Sequence, residues 1–145
     1  MPHLVILYTA NLDSQVDMRG LCHDLAATMR AARDDAGQPV FPTGGIRVLA
    51  YPAPHYAVAD GGDAGRAAGG DGNYGFVYLN LRMGRGRSDA TKKRAGDDLM
   101  TRVKAHFDPL ISEKHLGVTL QIDEGPEVFD AKHSSLHPLF NRPNP

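Results

Sequence analysis

The hydrophobic and polar positions divide the chain into two similar halves. Each half begins with a short apolar run, at residues 4–8 and 74–83, that is typical of a buried strand. Each run is followed by a stretch in which apolar residues return every three or four positions, which predicts a helix with one buried face. A second strand closes each half, at residues 46–51 and 118–122. The predicted order is therefore β-α-β, a linker, and β-α-β.

Short polar residues mark where both helices begin. Asp17 and Ser88 each precede a helical pattern, and their side chains can accept a hydrogen bond from the first turn. Gly37 and Pro39 should stop the first helix, and Pro109 should kink or end the second. The predicted buried faces are Leu21, Leu25, Met29 and Ala32 in the first helix and Ala95, Leu99, Val103 and Leu110 in the second.

The pattern predicts one domain of α/β (α+β) class. It consists of a first half (1–59), a linker (60–73), a second half (74–124) and a C-terminal tail (125–145). Right-handed crossovers would pair the strands of each half in parallel and give one four-stranded sheet with both helices on one face. Three such sheets facing inward would bury the uncovered face, which favours a trimeric assembly. Residues 60–72 are nearly all Gly, Ala and Asp, and predict a flexible loop that buries nothing.

Composition narrows the choice of partners. The 145 residues are 41% apolar and 23% charged, as in a folded domain, and the net charge of −1 offers no basic field for nucleic acid or an anionic membrane. The longest apolar run, residues 4–7, is too short for a spanning helix or a signal peptide. The single cysteine, Cys22, excludes an internal disulfide and fits a reducing compartment. We therefore expect a cytoplasmic protein with a small-molecule ligand.

Pro2 is the first candidate for chemistry. Removal of Met1, which a small second residue permits, would turn the Pro2 nitrogen into a secondary amine. A terminal amine titrates near roughly 7.7–8.0, and burial or neighbouring arginines would lower that pKa. A base whose pKa lies near the working pH is suited to proton abstraction. A common Met-Pro start without chemical meaning is the alternative.

Three arginines lie where an anion could be bound. Arg47 begins the second strand, and parallel pairing in the first half would bring it to the same sheet end as Pro2. Arg85 and Arg87 belong to the Gly-Arg-Gly-Arg-Ser turn at residues 84–88, just before a helix N-terminus that favours anions. Guanidinium groups bind carboxylates through two parallel hydrogen bonds. The pattern predicts a carboxylate or phosphate site, with solvated surface arginines as the alternative.

Other functions fit smaller parts of the sequence. Residues 74–79 are similar to the aromatic strand of an RNA recognition motif, with Tyr8 on the partner strand. The motif lacks its opening basic residue, and the net charge is negative, both of which argue against RNA. His133 and His137 are spaced i,i+4 without an acidic or cysteine companion, so no metal is expected. Cys22 could be a reactive thiol or a half-buried helix residue.

Six ordered motifs together are far more specific than any one of them. They are Pro2-His3-Leu4, Gly45-Ile46-Arg47, Tyr74-Gly75-Phe76-Val77, Gly84-Arg85-Gly86-Arg87-Ser88, His106-Phe107, and the ending Phe129-Asp130-Ala131-Lys132…Leu136-His137-Pro138-Leu139-Phe140. In this combination the chain resembles the 5-carboxymethyl-2-hydroxymuconate isomerase family of the tautomerase superfamily. The resemblance implies a homotrimer that isomerises a di- or tricarboxylate 2-hydroxydienoate to its 2-oxo-3-ene form. It also implies no metal or organic cofactor, and a role in homoprotocatechuate and 4-hydroxyphenylacetate degradation.

The resemblance also assigns residues by position. It implies that Pro2 is the catalytic proline and that Arg47 and Arg87 act in catalysis and substrate binding. Arg85 is a further candidate for substrate binding because it belongs to the same turn as Arg87. The departures from the family pattern are residues 60–72, Pro109 and the polar extension after Phe140. They bear on substrate choice more than on reaction type, so a tautomerase for another unsaturated acid is the alternative.

Overall fold

The computed structural model describes residues 2–140, so that Met1 and the extension after Phe140 lie outside the described residues. All predicted strands and both predicted helices are present, and two short α-helices and two short 3-10 helices, at Ala10–Leu12 and Thr43–Gly45, are added. The elements in chain order are β1 His3–Thr9, α1 Met18–Ala31, β2 Arg47–Ala53, α2 Asp63–Ala67, β3 Gly75–Met83, α3 Asp89–Ile111, β4 Leu116–Glu124 and α4 His137–Phe140.

The four strands form one sheet in the order β2-β1-β3-β4. β1 is parallel to β2, β3 is parallel to β4, and the two pairs meet where β1 and β3 run antiparallel. The register sets His3 opposite Arg47 on one side and Arg82 on the other. The starts of β1 and β2 and the ends of β3 and β4 therefore share one end of the sheet, which we call the Pro2 end. The predicted fold class is confirmed.

The long helices α1 and α3 cover one face of the sheet. Along β1, Leu4, Ile6 and Tyr8 are buried under the helices while Leu7 is exposed on the other face. The buried helix residues are Met18, Leu21, Leu25 and Met29 in α1 and Thr91, Ala95, Leu99, Val103 and Phe107 in α3. Ala32 and Leu110, expected in the buried faces, are only partly buried and pack at the edge of the core.

Both predicted helix starts are confirmed. The Asp17 carboxylate accepts a hydrogen bond from the Gly20 N–H at 2.9 Å, and the Ser88 hydroxyl accepts one from the Thr91 N–H at 3.1 Å. Pro109 lies inside α3, and the helix ends two residues later at Ile111. Proline removes one backbone donor and disfavours helical geometry in the residue before it, and α3 ends within one turn of Pro109.

Residues 60–72 have a defined structure, so the prediction of a flexible loop that buries nothing is wrong. They contain α2, and both Gly62 and Gly65 are buried. The glycines with a left-handed backbone conformation are Gly61, Gly62, Gly69 and Gly72. Glycine is frequent in this segment because these positions require positive φ, which other residues adopt only with strain.

Side-chain contacts fix the same segment. The Asp60 carboxylate accepts hydrogen bonds from the N–H groups of Gly62 and Ala64, both at 2.9 Å, and the Tyr74 hydroxyl accepts one from the Gly65 N–H at 2.8 Å. These amide donors lower the pKa of Asp60 to about 2. The segment joins the end of β2 to the start of β3, so it lies at the end of the sheet opposite Pro2.

Candidate active site

A cavity of about 330 Å³ opens at the Pro2 end of the sheet. Pro2 lines it from the start of β1, and Arg87 lines it from the turn between β3 and α3. Pro42 and Gly45 contribute the segment before β2. The volume falls within the range typical of small-molecule sites. Two of the residues predicted from the sequence thus lie at one cavity.

Pro2 is buried, and the strand that follows it begins at the next residue. This arrangement holds the Pro2 backbone against the edge of the core. Burial and the positive charge of Arg47 hold the pKa of His3 below its ordinary value. The surroundings of His3, the residue next to Pro2, therefore disfavour added positive charge.

Arg87 is fixed by main-chain carbonyl groups. Its Nε and Nη2 donate to the Val40 carbonyl oxygen at 3.0 and 2.9 Å, and its Nη1 donates to that of Gly84 at 3.0 Å. Its Cζ lies 5.5 Å from the centroid of the Phe41 ring, a cation–π distance. Three of the five N–H groups of a guanidinium are used in this way. The result is a positive charge held in one orientation on the cavity wall.

The other two predicted arginines lie outside the cavity of this chain. Arg47 sits beside His3 on the neighbouring strand, as predicted, and its Nη1 donates to the carbonyl oxygens of Gly44 and Ile46, both at 2.8 Å. Arg85 is exposed and lines a second groove, of about 560 Å³, next to the start of α3, and Arg87 lines this groove as well. The structure therefore brings Pro2 together with Arg87 and leaves Arg47 and Arg85 adjacent to the site.

The C-terminal tail supplies cavity residues that the sequence reasoning did not assign. Four tail side chains line the cavity, namely Glu127, Asp130, Lys132 and His137. The Lys132 ammonium donates to the Asp130 carboxylate, and this hydrogen bond holds the pKa of Asp130 below its ordinary value. Three of these residues lie in the ending that carries the family resemblance, which was the available signal, but no periodicity indicated where that ending packs.

A glycine lets the tail reach this position. Helix α4 packs against the turn at residues 43–45, where Gly44 is buried. A Cβ on Gly44 would lie 3.1 Å from Cδ2 of Phe140 and 3.4 Å from Cα of His137. The distance to Phe140 is tighter than side chains normally make, so the absence of a Cβ permits the close approach. The Gly-Gly pair before Arg47 thus helps to seat the tail beside Pro2.

The structure also places the residues on which the RNA-binding, reactive-thiol and metal-site hypotheses depend. Tyr8 is buried beneath the helices, whereas Phe76 is exposed on the other sheet face, so these aromatic side chains form no common surface for stacking RNA bases. Burial raises the pKa of the Cys22 thiol, the opposite of what activates a nucleophile. Within residues 2–140, no group of three or more His, Cys, Asp or Glu is arranged for a metal ion. Over the same stretch, no helix has the length and apolar character needed to cross a membrane.

The doubled β-α-β unit with its single four-stranded sheet is the tautomerase fold. At one end of this sheet a buried proline and an arginine line the same cavity. The model of the family described as 5-carboxymethyl-2-hydroxymuconate isomerase matches residues 2–140. The chain belongs to this family. The expectation of an isomerase from the tautomerase superfamily is confirmed.

Individual relatives are similar to this chain over nearly its whole length. A crystal structure of a 5-carboxymethyl-2-hydroxymuconate delta-isomerase is 58% identical, with a TM-score of 0.95, covering 100% of this chain and 96% of its own. A 5-carboxymethyl-2-hydroxymuconate isomerase from Deinococcus radiodurans R1 is 30% identical, with a TM-score of 0.78, covering 97% and 95%. The Escherichia coli 5-carboxymethyl-2-hydroxymuconate Delta-isomerase is 27% identical over 140 residues, covering 97% of this chain and 99% of that protein.

Proposed function

We propose that this chain is a 5-carboxymethyl-2-hydroxymuconate delta-isomerase whose general base is the amino-terminal nitrogen of Pro2, freed by removal of Met1. The reaction converts a 2-hydroxydienoate into its 2-oxo-3-ene isomer, in the cytoplasm, during homoprotocatechuate and 4-hydroxyphenylacetate degradation. The observation that carries the proposal is that buried Pro2 and the fixed guanidinium of Arg87 line one cavity. No cofactor is required, because the isomerisation moves one proton and leaves the oxidation state unchanged.

In the proposed mechanism, neutral Pro2 takes the proton from the 2-hydroxyl group of the dienol. Electrons shift through the conjugated chain, and the prolinium returns the proton to carbon 5, which leaves a ketone at carbon 2 and a double bond between carbons 3 and 4. One group thus acts first as base and then as acid. Burial favours its neutral form before the reaction. A positioned acid–base group contributes roughly 100- to 10,000-fold in rate.

The arginines supply positive charge in this mechanism. Arg87 stabilises the negative charge that develops on the 2-oxygen, and its carbonyl contacts fix it before the substrate arrives. Arg47 and Arg85, which lie outside the cavity of their own chain, add positive charge near the same end of the sheet and assist carboxylate binding. The negatively charged carboxylates of the substrate are complementary to these arginines.

The state of the amino terminus tests the proposal directly. Protein that retains Met1, made without methionine aminopeptidase and verified by mass, has an amide at Pro2 and should be nearly inactive in a ketonisation assay followed by ultraviolet absorbance. Treating the same sample with the aminopeptidase should restore activity. Pro2→Ala keeps a primary amine and should lose activity only in part. Turnover at the full rate by protein that retains Met1 would overturn the proposed base.

We also propose that the enzyme is a homotrimer closed through its uncovered sheet face. The large apolar side chains exposed there are Leu7 (46%), Leu49 (45%), Tyr51 (49%) and Phe76 (37%). Apolar exposure across one continuous sheet is typical of an interface. Sedimentation should give a mass of three chains, and Leu7→Asp should dissociate it, whereas Ala27→Asp on the outer side of α1 should not. A monomeric wild-type protein would refute the proposed trimer and would leave the proposed role of Pro2 unaffected.

A further inference from the structure

Lys132 brings a second strong positive charge to the Pro2 cavity, from a different segment than Arg87. Its ammonium is held by the Asp130 carboxylate, and the two side chains are 38% and 46% exposed. A carboxylate therefore already occupies the position at which Lys132 would bind a substrate. Ion pairs with this exposure contribute little to stability, so an incoming carboxylate can replace Asp130 at small cost.

The charge of the proposed substrate exceeds what Arg87 can bind. By its chemical name, 5-carboxymethyl-2-hydroxymuconate carries two carboxylates on the muconate chain and a third on the carboxymethyl arm. Arg87 uses three N–H groups on the carbonyl oxygens of Val40 and Gly84, which ties it to the wall beside Pro2. Arg47 and Arg85 do not line this cavity, whereas Lys132 lines it from the tail and is therefore the cation placed to bind the third carboxylate.

We propose that Lys132 is a specificity-determining residue that binds the carboxylate of the carboxymethyl arm, with Asp130 giving way to it. This inference rests on the proposed isomerase function and adds a reason for substrate choice. The position of the tail supports it, because α4 packs on Gly44 in the turn before β2 and brings the tail to the cavity from that side. The reacting end of the substrate then meets the sheet residues, and the arm meets the tail.

The experiment compares two substrates, the tricarboxylate and 2-hydroxymuconate, which lacks the arm. Lys132→Met should lower kcat/KM for the tricarboxylate about 10- to 100-fold, mainly through KM, as expected for the loss of a charged hydrogen bond. For 2-hydroxymuconate the change should stay within about twofold of wild type. Lys132→Arg should recover most of the loss. The control is Lys93→Met, which removes an exposed lysine of α3 that pairs with Asp97.

Binding of unreactive analogues gives a second measurement that does not depend on turnover. Lys132→Met should raise the inhibition constant of 2-(carboxymethyl)hexanedioate and leave that of hexanedioate unchanged. Equal effects on both analogues, or none on either, would overturn the role of Lys132 while leaving Pro2 as the base. If the wild-type enzyme with a free Pro2 isomerised neither dienol, the proposed function itself would fail, and this inference with it.

Discussion

Cavities lie near both ends of the sheet, and the one at the far end is larger than the proposed site at Pro2. The cavity beside the 60–72 segment measures about 520 Å³, against about 330 Å³ at Pro2. The larger one is lined mainly by exposed side chains of residues 69–73 and 110–115. The smaller one contains a buried proline and a guanidinium fixed in place. Volume alone therefore does not identify the site, whereas the chemistry of its lining does.

Charged groups bind the backbone at both ends, with different consequences. Asp60 accepts from amide groups within its own loop, so its charge is used to hold that loop. Arg87 donates to carbonyl groups of Val40, far away in sequence, and of Gly84 in its own turn, yet still lines a cavity. The Asp60 carboxylate thus stabilises its own loop, whereas the Arg87 guanidinium is fixed at the wall of a cavity.

Of the substitutions predicted here to alter one end of the sheet or the other, replacement of Arg87 should have the largest effect on kcat. Arg87→Met should lower kcat roughly 100- to 1,000-fold, the range seen when a donor to a developing oxyanion is removed. Arg85→Met, in the same turn but outside the cavity, should lose less than about tenfold, since it acts only from a distance. Steady-state kinetics on the tricarboxylate measure both.

The carbonyl contacts of Arg87 make a structural control necessary. Loss of the Val40 and Gly84 contacts should also lower the Tm of Arg87→Met, so Tm and kcat are measured on the same preparations. A variant that keeps the wild-type kcat would remove Arg87 from the mechanism. Equal losses in the Arg85 and Arg87 variants would show that net positive charge matters and that the cavity lining does not.

Periodic apolar residues made most of the fold predictable. Leu4 and Ile6 alternate with outward-facing residues in β1, and Leu21, Leu25 and Met29 repeat at helical spacing in α1. Right-handed connections then leave few arrangements of four strands. Because that topology sets which strand ends meet, the sequence also predicted that Arg47 begins β2 on the strand beside Pro2.

The two segments without periodicity were not predictable in the same way. Glycine at residues 61–72 suggested flexibility, and only the three-dimensional path reveals that four of these glycines have a left-handed backbone. The tail offered no spacing from which its return to Pro2 could be inferred, since that return depends on the contact of Phe140 with Gly44. Lys132 and Asp130 therefore belong to a motif of the family resemblance from which no role could be predicted. Both failures concern long-range packing, which local pattern does not encode.

The smallest expected effect is that of replacing Asp60, which lies in the 60–72 segment at the end of the sheet opposite Pro2. Asp60→Asn should lower Tm by only a few degrees and leave kcat and KM unchanged, because the segment lies away from Pro2. The folded-state pKa of Asp60 is lowered from 3.8 to about 2. A lowered pKa adds stability above the unfolded-state value that is lost as pH falls through the folded value. The Tm difference between wild type and Asp60→Asn should thus be largest above about pH 4 and shrink towards pH 2.

Asp108→Asn on α3 is the control for removing an exposed carboxylate. A Tm difference that stayed constant across this range would mean that the charge of Asp60 does not hold the loop, and an altered KM would mean that the two ends of the sheet are coupled.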